Sequence, residues 1–499
     1  MGFSTREGSF MNREKLKKFL LIGLIMSSIM QVGILWDFST HGLPSYFFRA
    51  FQDRVAPVSA SIKKMKAELF SPKRIIVSTG ASNWIVSKEG DTQDVYKALW
   101  DDAKDYISKI IAGEDIENVT MPDEKWSDIV LLKSIGIELD TPLSQDMIGY
   151  FLDSKVKNSS GAVFVKFVIA PWDSVNYNST TVYLLDSNMH VYKYSLAMSQ
   201  KNLKREFYDA ELEKLNKLQD QEAIRNYMVF SESKIKLSYP IRQDMLVSAY
   251  GDKYDKLGQI DVTIPENFHI APGSKLLDVE SKLGGILGRD GDSYDIFTDA
   301  MGTVTMKNLN NQYRVYTDGV LEYKKTGNLT GDKGSKEQAF KNAMSFVEKL
   351  GLIPDNVQVY LSGIEETRDR FKFKFDYKAA NVPIYFDIGL DGKNGDKIQN
   401  AIIIESNNDD ALSCYWVVRN IELVKDKKKQ YNVNFSDTLD KTFVEYPNIK
   451  QVKDFSIQDV LVGYRLTGEN VGLKIEPMGL VMGGNNSIYS VKLPVKKGD

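Results

Sequence analysis

At about 100 to 200 residues per domain, the 499 residues of this sequence are enough for roughly two to four domains. Its 64 basic and 67 acidic residues nearly cancel, which argues against the overall positive charge of a nucleic-acid-binding protein. The single cysteine, Cys414, excludes an intramolecular disulfide, a cysteine-based zinc cluster and a CxxC redox pair. Only three histidines, His41, His190 and His269, are present, and they lie far apart in sequence.

Near the amino terminus, residues 19–36 (FLLIGLIMSSIMQVGILW) form a run of 18 residues without a charge. This is about the minimum length of a membrane-spanning helix. Residues 37–48 contain no Lys or Arg, so the positive-inside rule predicts a cytoplasmic amino terminus and an extracytoplasmic bulk. A cleavable signal peptide is the alternative, but no small-x-small cleavage pattern follows the run. The basic residues that precede the run are Arg6, Arg13, Lys15, Lys17 and Lys18.

Small and polar side chains interrupt this predicted span. Gly23 and Ser27 form a small-xxx-small pair, and Ser28 and Gln31 follow. In lipid, such residues allow close packing and hydrogen bonding between helices. We therefore predict a partner-binding transmembrane face at Gly23, Ser27, Ser28 and Gln31; the alternative is that small residues are merely tolerated in a weakly apolar span.

Beyond the span, hydrophobic periodicity predicts alternating strands and helices. Residues 73–79 and 83–87 are β-rich and flank Gly80, which suggests a hairpin. A helix follows, with Thr92 as its candidate N-cap and Gly113 at its end. Its predicted buried face consists of Val95, Leu99, Trp100, Ala103, Tyr106, Ile107, Ile110 and Ile111. Further strands are predicted at 129–139, 163–169, 181–185 and 191–194.

The second half of the sequence continues this mixed pattern. Residues 203–228 predict a long, largely exposed helix, and Ser335 and Gln338 form a capping box for a helix that ends at Gly351. Apolar and polar residues alternate over 371–377, as in a strand with one buried face. Other predicted elements are a short helix near 274–283 and strands at 302–307, 313–316, 320–324, 384–388, 398–405, 414–418, 460–466 and 488–493.

These patterns predict an α+β fold: a single N-terminal transmembrane helix followed by a multi-domain extracytoplasmic region of mixed and antiparallel sheets with packed helices. The predicted segments are a cytoplasmic basic tail (1–18), the transmembrane helix (19–36), a membrane-proximal stalk (37–72), an N-terminal α+β domain (73–200), a middle α+β domain (201–333) and a C-terminal α+β domain (334–499).

Motifs that carry chemistry are weak in this sequence. The run GASNW at 80–84, which contains Ser82, departs from a G-x-S-x-G elbow because Trp84 replaces the second glycine. Asp290 and Asp292 lack the spacing and terminal Glu of a calcium loop, and residues 389–393 lack the spacing of a P-loop. We therefore predict that the protein is not an enzyme and has no catalytic residues, cofactor or metal.

Two classes of membrane-anchored protein stay open. A membrane-anchored binding or scaffold protein for cell-wall polymer would present aromatic residues on a sheet face, and the chain has 25 Tyr and 24 Phe. A cell-wall hydrolase is less favoured, because it needs a cleft with convergent acids or a metal, and metal ligands are scarce.

The order of these segments resembles the YycH family of Gram-positive bacteria. The resemblance begins with the basic tail and span, KRIIVSTGASNWIVS at 73–87, the following helix, and IGIELDTPLSQDMIGYFL at 135–152. RDGDSYDIFTD at 289–299 and YRVYTDGVLEY at 313–323 resemble the middle domain of that family. The helix after Ser335 and VPIYF at 382–386 resemble its C-terminal domain, which is shared with the sister family YycI.

This resemblance implies an accessory regulator of the WalK/WalR two-component system, which controls cell-wall metabolism. It implies association with the WalK-like sensor histidine kinase and with a YycI-like single-span sister protein, partly through membrane helices. Gly23, Ser27, Ser28 and Gln31 occupy the matching span, so the resemblance and the packing argument point to the same residues.

Overall fold

Two large, mostly antiparallel sheets and the helices packed on them make up the described chain. This is a computed structural model that describes residues 65–496, apart from gaps at 81–82, 87, 89–91, 158–160, 174–177, 198–204, 219–225, 234, 238, 249–253, 271–273, 288–293, 328–330, 390–396, 425–427, 453–454 and 485–486.

The first sheet contains nine strands in the order β3-β7-β6-β5-β4-β1-β2-β8-β9. Each neighbouring pair is antiparallel. The strands are β1 Arg74–Thr79, β2 Asn83–Val86, β3 Ile116–Thr120, β4 Lys133–Ser144, β5 Val163–Ala170, β6 Ser179–Asp186, β7 Val191–Ala197, β8 Asn226–Val229 and β9 Leu246–Ser248.

The predicted hairpin at the start of this sheet is confirmed. β1 and β2 pair with Ile75 opposite Val86, and Gly80 has φ +89°, a conformation that a residue with a Cβ rarely adopts. β4 lies on the other side of β1, where Arg74 is directly opposite Glu138. This cross-strand pair places two charged side chains next to each other on the sheet.

Seven α-helices lie wholly within the described residues, and the described chain begins with a further helical segment at 65–69. The predicted buried face of the first of the seven is confirmed, and Gly113 ends that helix with φ +67°. Thr92 occupies the predicted N-cap position, but its side chain makes no capping hydrogen bond. The helices are α1 Gln93–Ala112, α2 Trp126–Ile129, α3 Gln145–Leu152, α4 Arg205–Leu218, α5 Leu276–Leu287, α6 Lys336–Leu350 and α7 Phe435–Glu445.

The second sheet contains thirteen strands in the order β12-β13-β14-β15-β21-β20-β17-β18-β24-β26-β27, with β16 beside β17 and β19 beside β18. All pairs are antiparallel except β18 with β24, which is parallel. The strands are β12 Asp295–Thr298, β13 Val304–Lys307, β14 Asn311–Val315, β15 Val320–Lys325, β16 Gln358–Glu366, β17 Phe371–Ala379, β18 Val382–Gly389, β19 Lys397–Ile398, β20 Ile402–Ser406, β21 Ala411–Val417, β24 Ile457–Thr467, β26 Met478–Gly483 and β27 Ile488–Lys492.

Two small sheets complete the strand pairing, and both join chain segments far apart in sequence. β10 pairs with β23, and β11 pairs with both β22 and β25. These strands are β10 Tyr254–Leu257, β11 Ile260–Thr263, β22 Asn420–Leu423, β23 Lys429–Asn432 and β25 Lys474–Ile475.

The predicted start of α6 is confirmed in its main feature. The Ser335 hydroxyl accepts a hydrogen bond from the Gln338 backbone N–H, and Gly351 ends the helix with φ +60°. The Gln338 side chain donates forward to Asn342 Oδ1 at 3.1 Å. α6 packs its Phe340 against Phe151 of α3, with ring centroids 5.4 Å apart, so one apolar core extends from the first sheet to the second.

The strand predicted at 371–377 is confirmed and its four aromatic side chains are buried, but Asp376 on the other face is buried as well. The antiparallel sheets with packed helices bear out the α+β class for the described residues. The boundaries at 72, 200 and 333 stay predictions; β15, before the last boundary, pairs with β21, beyond it.

The predicted helix over 203–228 is confirmed over Arg205–Leu218 and wrong at its carboxyl end. α4 ends at Leu218, and β8 (Asn226–Val229) pairs with β2 and β9. The helix is also less exposed than predicted, because Tyr208 and Leu215 are buried. The lack of Pro and Gly in this stretch hid the end of the helix. Elements that were not predicted include β16, α7 and β26.

No helix of the described chain is long and apolar enough to cross a membrane. The predicted transmembrane helix at 19–36, with Gly23, Ser27, Ser28 and Gln31, lies outside the described residues, as do the predicted tail and most of the predicted stalk. Of the stalk, Leu69 and Phe70 are described, and both are buried.

A buried carboxyl group links α4 to α1. Asp102 on α1 is 6% exposed, and the Tyr208 hydroxyl donates to its Oδ2 at 2.7 Å. Burial raises the pKa of Asp102 to about 7, although the bond from Tyr208 acts in the opposite direction. The carboxyl therefore keeps its proton in the folded protein at pH values where the unfolded chain has lost it.

This difference predicts a pH-dependent stability. The free energy of unfolding should fall as the pH rises from about 4, the pKa of an unfolded aspartate, to about 7, by at most about 1.4 kcal/mol per pH unit. Asp102→Asn retains an acceptor for Tyr208 but has no proton to lose, so this part of the pH dependence should disappear. Urea denaturation over this pH range measures it, with the exposed neighbour exchange Asp101→Asn as control; equal slopes in both variants would contradict the assignment.

Candidate functional site

A cleft of about 450 Å³ lies where the first sheet meets the second. Strands of both sheets contribute to its walls, including β1, β2 and β4 from the first and β16, β18 and β24 from the second. Its aromatic and charged lining residues are Tyr96, Tyr227, Tyr360, Tyr385, Lys73, Arg74, Lys88, Lys378, Asp140 and Asp255. Its apolar lining residues include Ile85, Val86, Leu246, Leu257, Val382, Pro383, Val460, Leu461 and Val462.

Behind one wall of the cleft, a buried network of ion pairs joins the two sheets. Arg74 on β1 reaches Asp459 on β24 at 3.1 Å and Glu138 on β4 at 3.2 Å. Lys73 also binds Asp459, with Nζ 2.6 Å from Oδ2. The Arg74 and Asp459 side chains are 14% and 4% exposed, so little water screens this contact between the sheets.

The network continues across the first sheet. Lys166 on β5 lies 3.1 Å from Glu138 and also pairs with Asp244. Arg242 lies 3.0 Å from Asp244 and 3.7 Å from Glu138. Four cations and three carboxylates are therefore joined, which leaves one positive charge in excess within the network. These seven residues are Lys73, Arg74, Glu138, Lys166, Arg242, Asp244 and Asp459.

The charges of the network are mutually stabilised. Burial acts to raise the pKa of Glu138, but Lys166, Arg74 and Arg242 outweigh it and hold this pKa well below its ordinary value. In the same way, burial opposes ionisation of Asp459, yet Arg74 and Lys73 lower its pKa. Burial acts to lower the pKa of Arg74, and Asp459 and Glu138 raise it instead. All of these groups are charged at neutral pH.

A second ion pair crosses the cleft from sheet to sheet. Asp140 on β4 accepts from Lys378 on β17 at 2.7 Å, with both side chains about nine-tenths buried. The Lys378 ammonium also lies 4.4 Å from the centre of the Tyr360 ring, a cation–π contact. Near the rim, Gln358 Nε2 donates to Ser71 Oγ at 2.8 Å. The cleft therefore has fixed polar groups on walls of aromatic and β-branched residues.

A tight turn between β17 and β18 lies at the edge of the cleft. Ala380 and Asn381 both have positive φ, +46° and +61°, as in a two-residue hairpin turn. Asn tolerates this conformation, whereas Ala is strained in it. The turn returns the chain into β18 so that Val382 and Pro383 line the cleft.

The lining of this cleft is mixed apolar and polar. Its described lining residues include no His and no Cys, and of its two acids Asp140 is paired with Lys378. No group of three or more metal-ligating side chains is found in the described part of the chain. The size of the cleft falls within the range of small-ligand and peptide sites, and its lining is typical of them.

The residues considered in the sequence analysis are scattered. In the β6–β7 turn, His190 Nδ1 lies 3.2 Å from Asp186 Oδ2. His269 is exposed. Cys414 is buried in β21, and burial raises the pKa of its thiol. Ser82, Asp290, Asp292 and His41 lie outside the described residues, as do the four residues of the predicted transmembrane face.

The charged residues of the cleft were not predicted from the sequence. Arg74 and Glu138 lie next to apolar strand residues, and this was the available signal, because a buried charge needs a partner. Asp459 precedes the predicted strand 460–466 and gave no such signal. Pairing across 385 positions cannot be read from one sequence.

The fold of this chain is similar to that of a solved structure. The crystal structure of YycH from Bacillus subtilis matches with a TM-score of 0.51 at 11% sequence identity, covering 85% of this chain and 96% of that chain. At this identity the match establishes a similar fold and nothing further. An uncharacterized protein from Eubacterium rectale gives a TM-score of 0.30 at 13% identity, covering 50% of this chain and 83% of that chain, too low to indicate a shared fold. No family model and no curated protein matches the sequence.

The buried network predicts a large cost for removing one of its carboxylates. Glu138→Gln would leave Lys166 and Arg74 short of a buried counter-charge, so we expect a loss of about 3 to 5 kcal/mol in the free energy of unfolding. Chemical denaturation at neutral pH measures this loss. The matched control is Glu213→Gln, which breaks an exposed pair with Lys217 and should change little. Equal effects of the two exchanges would show that Glu138 is not a stabilising counter-charge of the network.

Proposed function

We propose that this protein is a non-enzymatic, membrane-anchored extracytoplasmic regulator of a sensor histidine kinase of the WalK/WalR type, which controls cell-wall metabolism. The observation that carries the proposal is the fold similarity to YycH over 85% of the chain. The order of the sequence motifs resembles the same family. Two largely independent features, local sequence and chain topology, therefore support one assignment.

The charge-free run at 19–36 supports the membrane part of this proposal. A tail with five basic residues precedes the run, which favours a cytoplasmic amino terminus. In this arrangement the two sheets and their cleft lie outside the cell. The span is then the part of the chain that reaches the membrane helices of a kinase.

The cleft supports a binding role for the extracytoplasmic part. Its ion pairs fix the two sheets relative to each other, so that a partner meets a preformed surface. In this proposal the partners are a WalK-like kinase and a YycI-like single-span sister protein. The protein acts by contact, through the span and through the folded region.

The first test of this function concerns the span. Replacing Gly23, Ser27, Ser28 and Gln31 together with Leu preserves insertion but fills the close-approach surface and removes the polar contacts. Because each interhelical polar contact is worth only about 0.6 to 2 kcal/mol, the combined variant is the informative one. We expect normal membrane anchoring, weaker co-purification with the kinase and altered transcription of the genes that the kinase controls.

The control changes two residues on the opposite side of a helical span to Leu. Ile22 and Ile29 serve this purpose, because at 100° per residue each lies at least 100° away from Gly23, Ser27, Ser28 and Gln31 around the helix. Unchanged co-purification and transcription in the first variant would remove the span from the mechanism. Unchanged kinase output together with strong retention on purified cell wall would favour a wall-polymer scaffold.

The second test concerns topology. A reporter enzyme that is active only outside the cytoplasm, fused after Asp499, should be active and stay with the membrane fraction. The same reporter fused after Lys15 should be inactive. Release of the first fusion into the medium would contradict an uncleaved anchor.

A further inference from the structure

Strand β24 has an open edge where it borders the cleft, and the register of its neighbours defines that edge. The Gly483 N–H donates to the Ser487 C=O at 2.8 Å. Since hydrogen-bonded pairs alternate along an antiparallel ladder, the backbone groups of Gly483, Val481 and Gly479 in β26 bond to β27. The alternate residues of β26 bond to β24, where their partners are Asp459, Leu461 and Gly463. The backbone groups of Val460 and Val462 therefore point away from β26, toward the cleft.

These cleft-facing backbone groups are only partly satisfied. The Val460 N–H bonds to the Asp459 side chain at 3.0 Å. Within the described chain, the C=O of Val460 and both backbone groups of Val462 have no hydrogen-bond partner in the pairing of β24. All three residues of this open edge (460–462) are partly exposed and line the cleft.

Pro383 explains why the sheet stops at this point. The parallel pairing of β24 with β18 begins with Tyr464 opposite Ile384. One step further, the Val462 C=O would need an N–H from Pro383, and proline has none. A fixed feature of the sequence thus ends the ladder and leaves the edge available.

The electrostatics beside this edge favour an anion. Lys73 and Arg74 line the cleft and both bind Asp459, the residue that precedes the open edge. The network to which they belong has one positive charge in excess. A carboxylate entering beside the edge would balance that charge in a place where water screens little.

We propose that the cleft binds a short, extended peptide segment that carries a carboxylate side chain. The segment adds as a strand to residues 460–462 of β24, so its backbone supplies the missing hydrogen bonds, and its carboxylate pairs with Lys73 and Arg74. The β-branched and tyrosine side chains of the walls accept its alternate side chains. This inference rests on the cleft alone and does not depend on the identity of the kinase.

The test uses the full chain in detergent micelles and a phage-displayed library of random linear heptapeptides. Enriched peptides are synthesised with blocked ends, and their dissociation constants are measured by fluorescence anisotropy. We expect peptides in which an acidic residue lies among β-branched or aromatic residues. Methylation of alternate backbone amides should abolish binding, because an added strand needs those N–H groups. Exchange of the acidic residue for its amide should weaken binding about tenfold, and Lys73→Ala should remove most of that difference.

Two proline variants localise the binding. Val462→Pro deletes the N–H that faces the cleft without touching the pairing with β26, and we expect at least a tenfold loss of affinity. The matched control is Thr298→Pro, on the outer edge of β12, where the N–H also points away from the neighbouring strand; it should bind as the wild type does. Circular dichroism and thermal unfolding check both folds, and if Val462→Pro does not fold, the methylated peptides decide with the unaltered protein.

Three outcomes would overturn the proposal. The first is that no peptide is enriched. The second is that the enriched peptides bind the Val462→Pro variant as tightly as the wild-type protein, or that the methylated peptides bind the wild-type protein as tightly as the unmethylated ones. The third is that free glutamate competes as well as the peptide, which would indicate a simple anion site.

Discussion

The contact between Arg74 and Asp459 is the constraint on which the arrangement of the two sheets depends. Arg74 is on the first sheet and Asp459 on the second, and both side chains are buried. A buried charge without a partner costs several kcal/mol of free energy. Arrangements of the two sheets that separate Arg74 from Asp459 are therefore disfavoured. Apolar packing, such as Phe151 on Phe340, supplies the stability of the contact region, but it is not directional. The ion pairs determine which arrangement of the sheets is allowed.

The same constraint shapes the cleft. Because the Asp140–Lys378 pair and the network around Arg74 keep the sheets in register, the space between them is preformed and its charged groups have fixed positions. Asp459 has two roles there, since it anchors the network and bonds to the backbone of Val460. The sheets thus meet through polar contacts that leave a strand edge accessible. This is an arrangement suited to recognition, and it fits a regulator that acts by contact.

Local features of the fold could be predicted from the sequence, and long-range ones could not. The Gly80 hairpin, the buried face of α1 and the cap at Ser335 were correct, because each depends on residues within about one or two turns of each other. The prediction of a helix at β8 was wrong, because Asn226–Val229 is a strand that pairs with β2 and β9. Tertiary pairing there overrides local preference. The cleft was missed for the same reason, since its charges come from strands that are adjacent only in the fold.

The distance along the chain between Arg74 and Asp459 has a consequence for biosynthesis. They are 385 positions apart, and at about 5 to 20 residues per second the ribosome needs roughly 20 to 80 seconds to make the second after the first. During that interval Arg74 on β1 can pair with Glu138 but not with Asp459, and β15, once made, lacks β21. The nascent chain therefore exposes an unpaired strand edge during part of its synthesis, which is the condition in which chains aggregate and chaperones bind. A truncation before β24 should leave a chain whose two sheets meet without the contact between Arg74 and Asp459, whatever the quality of its local elements.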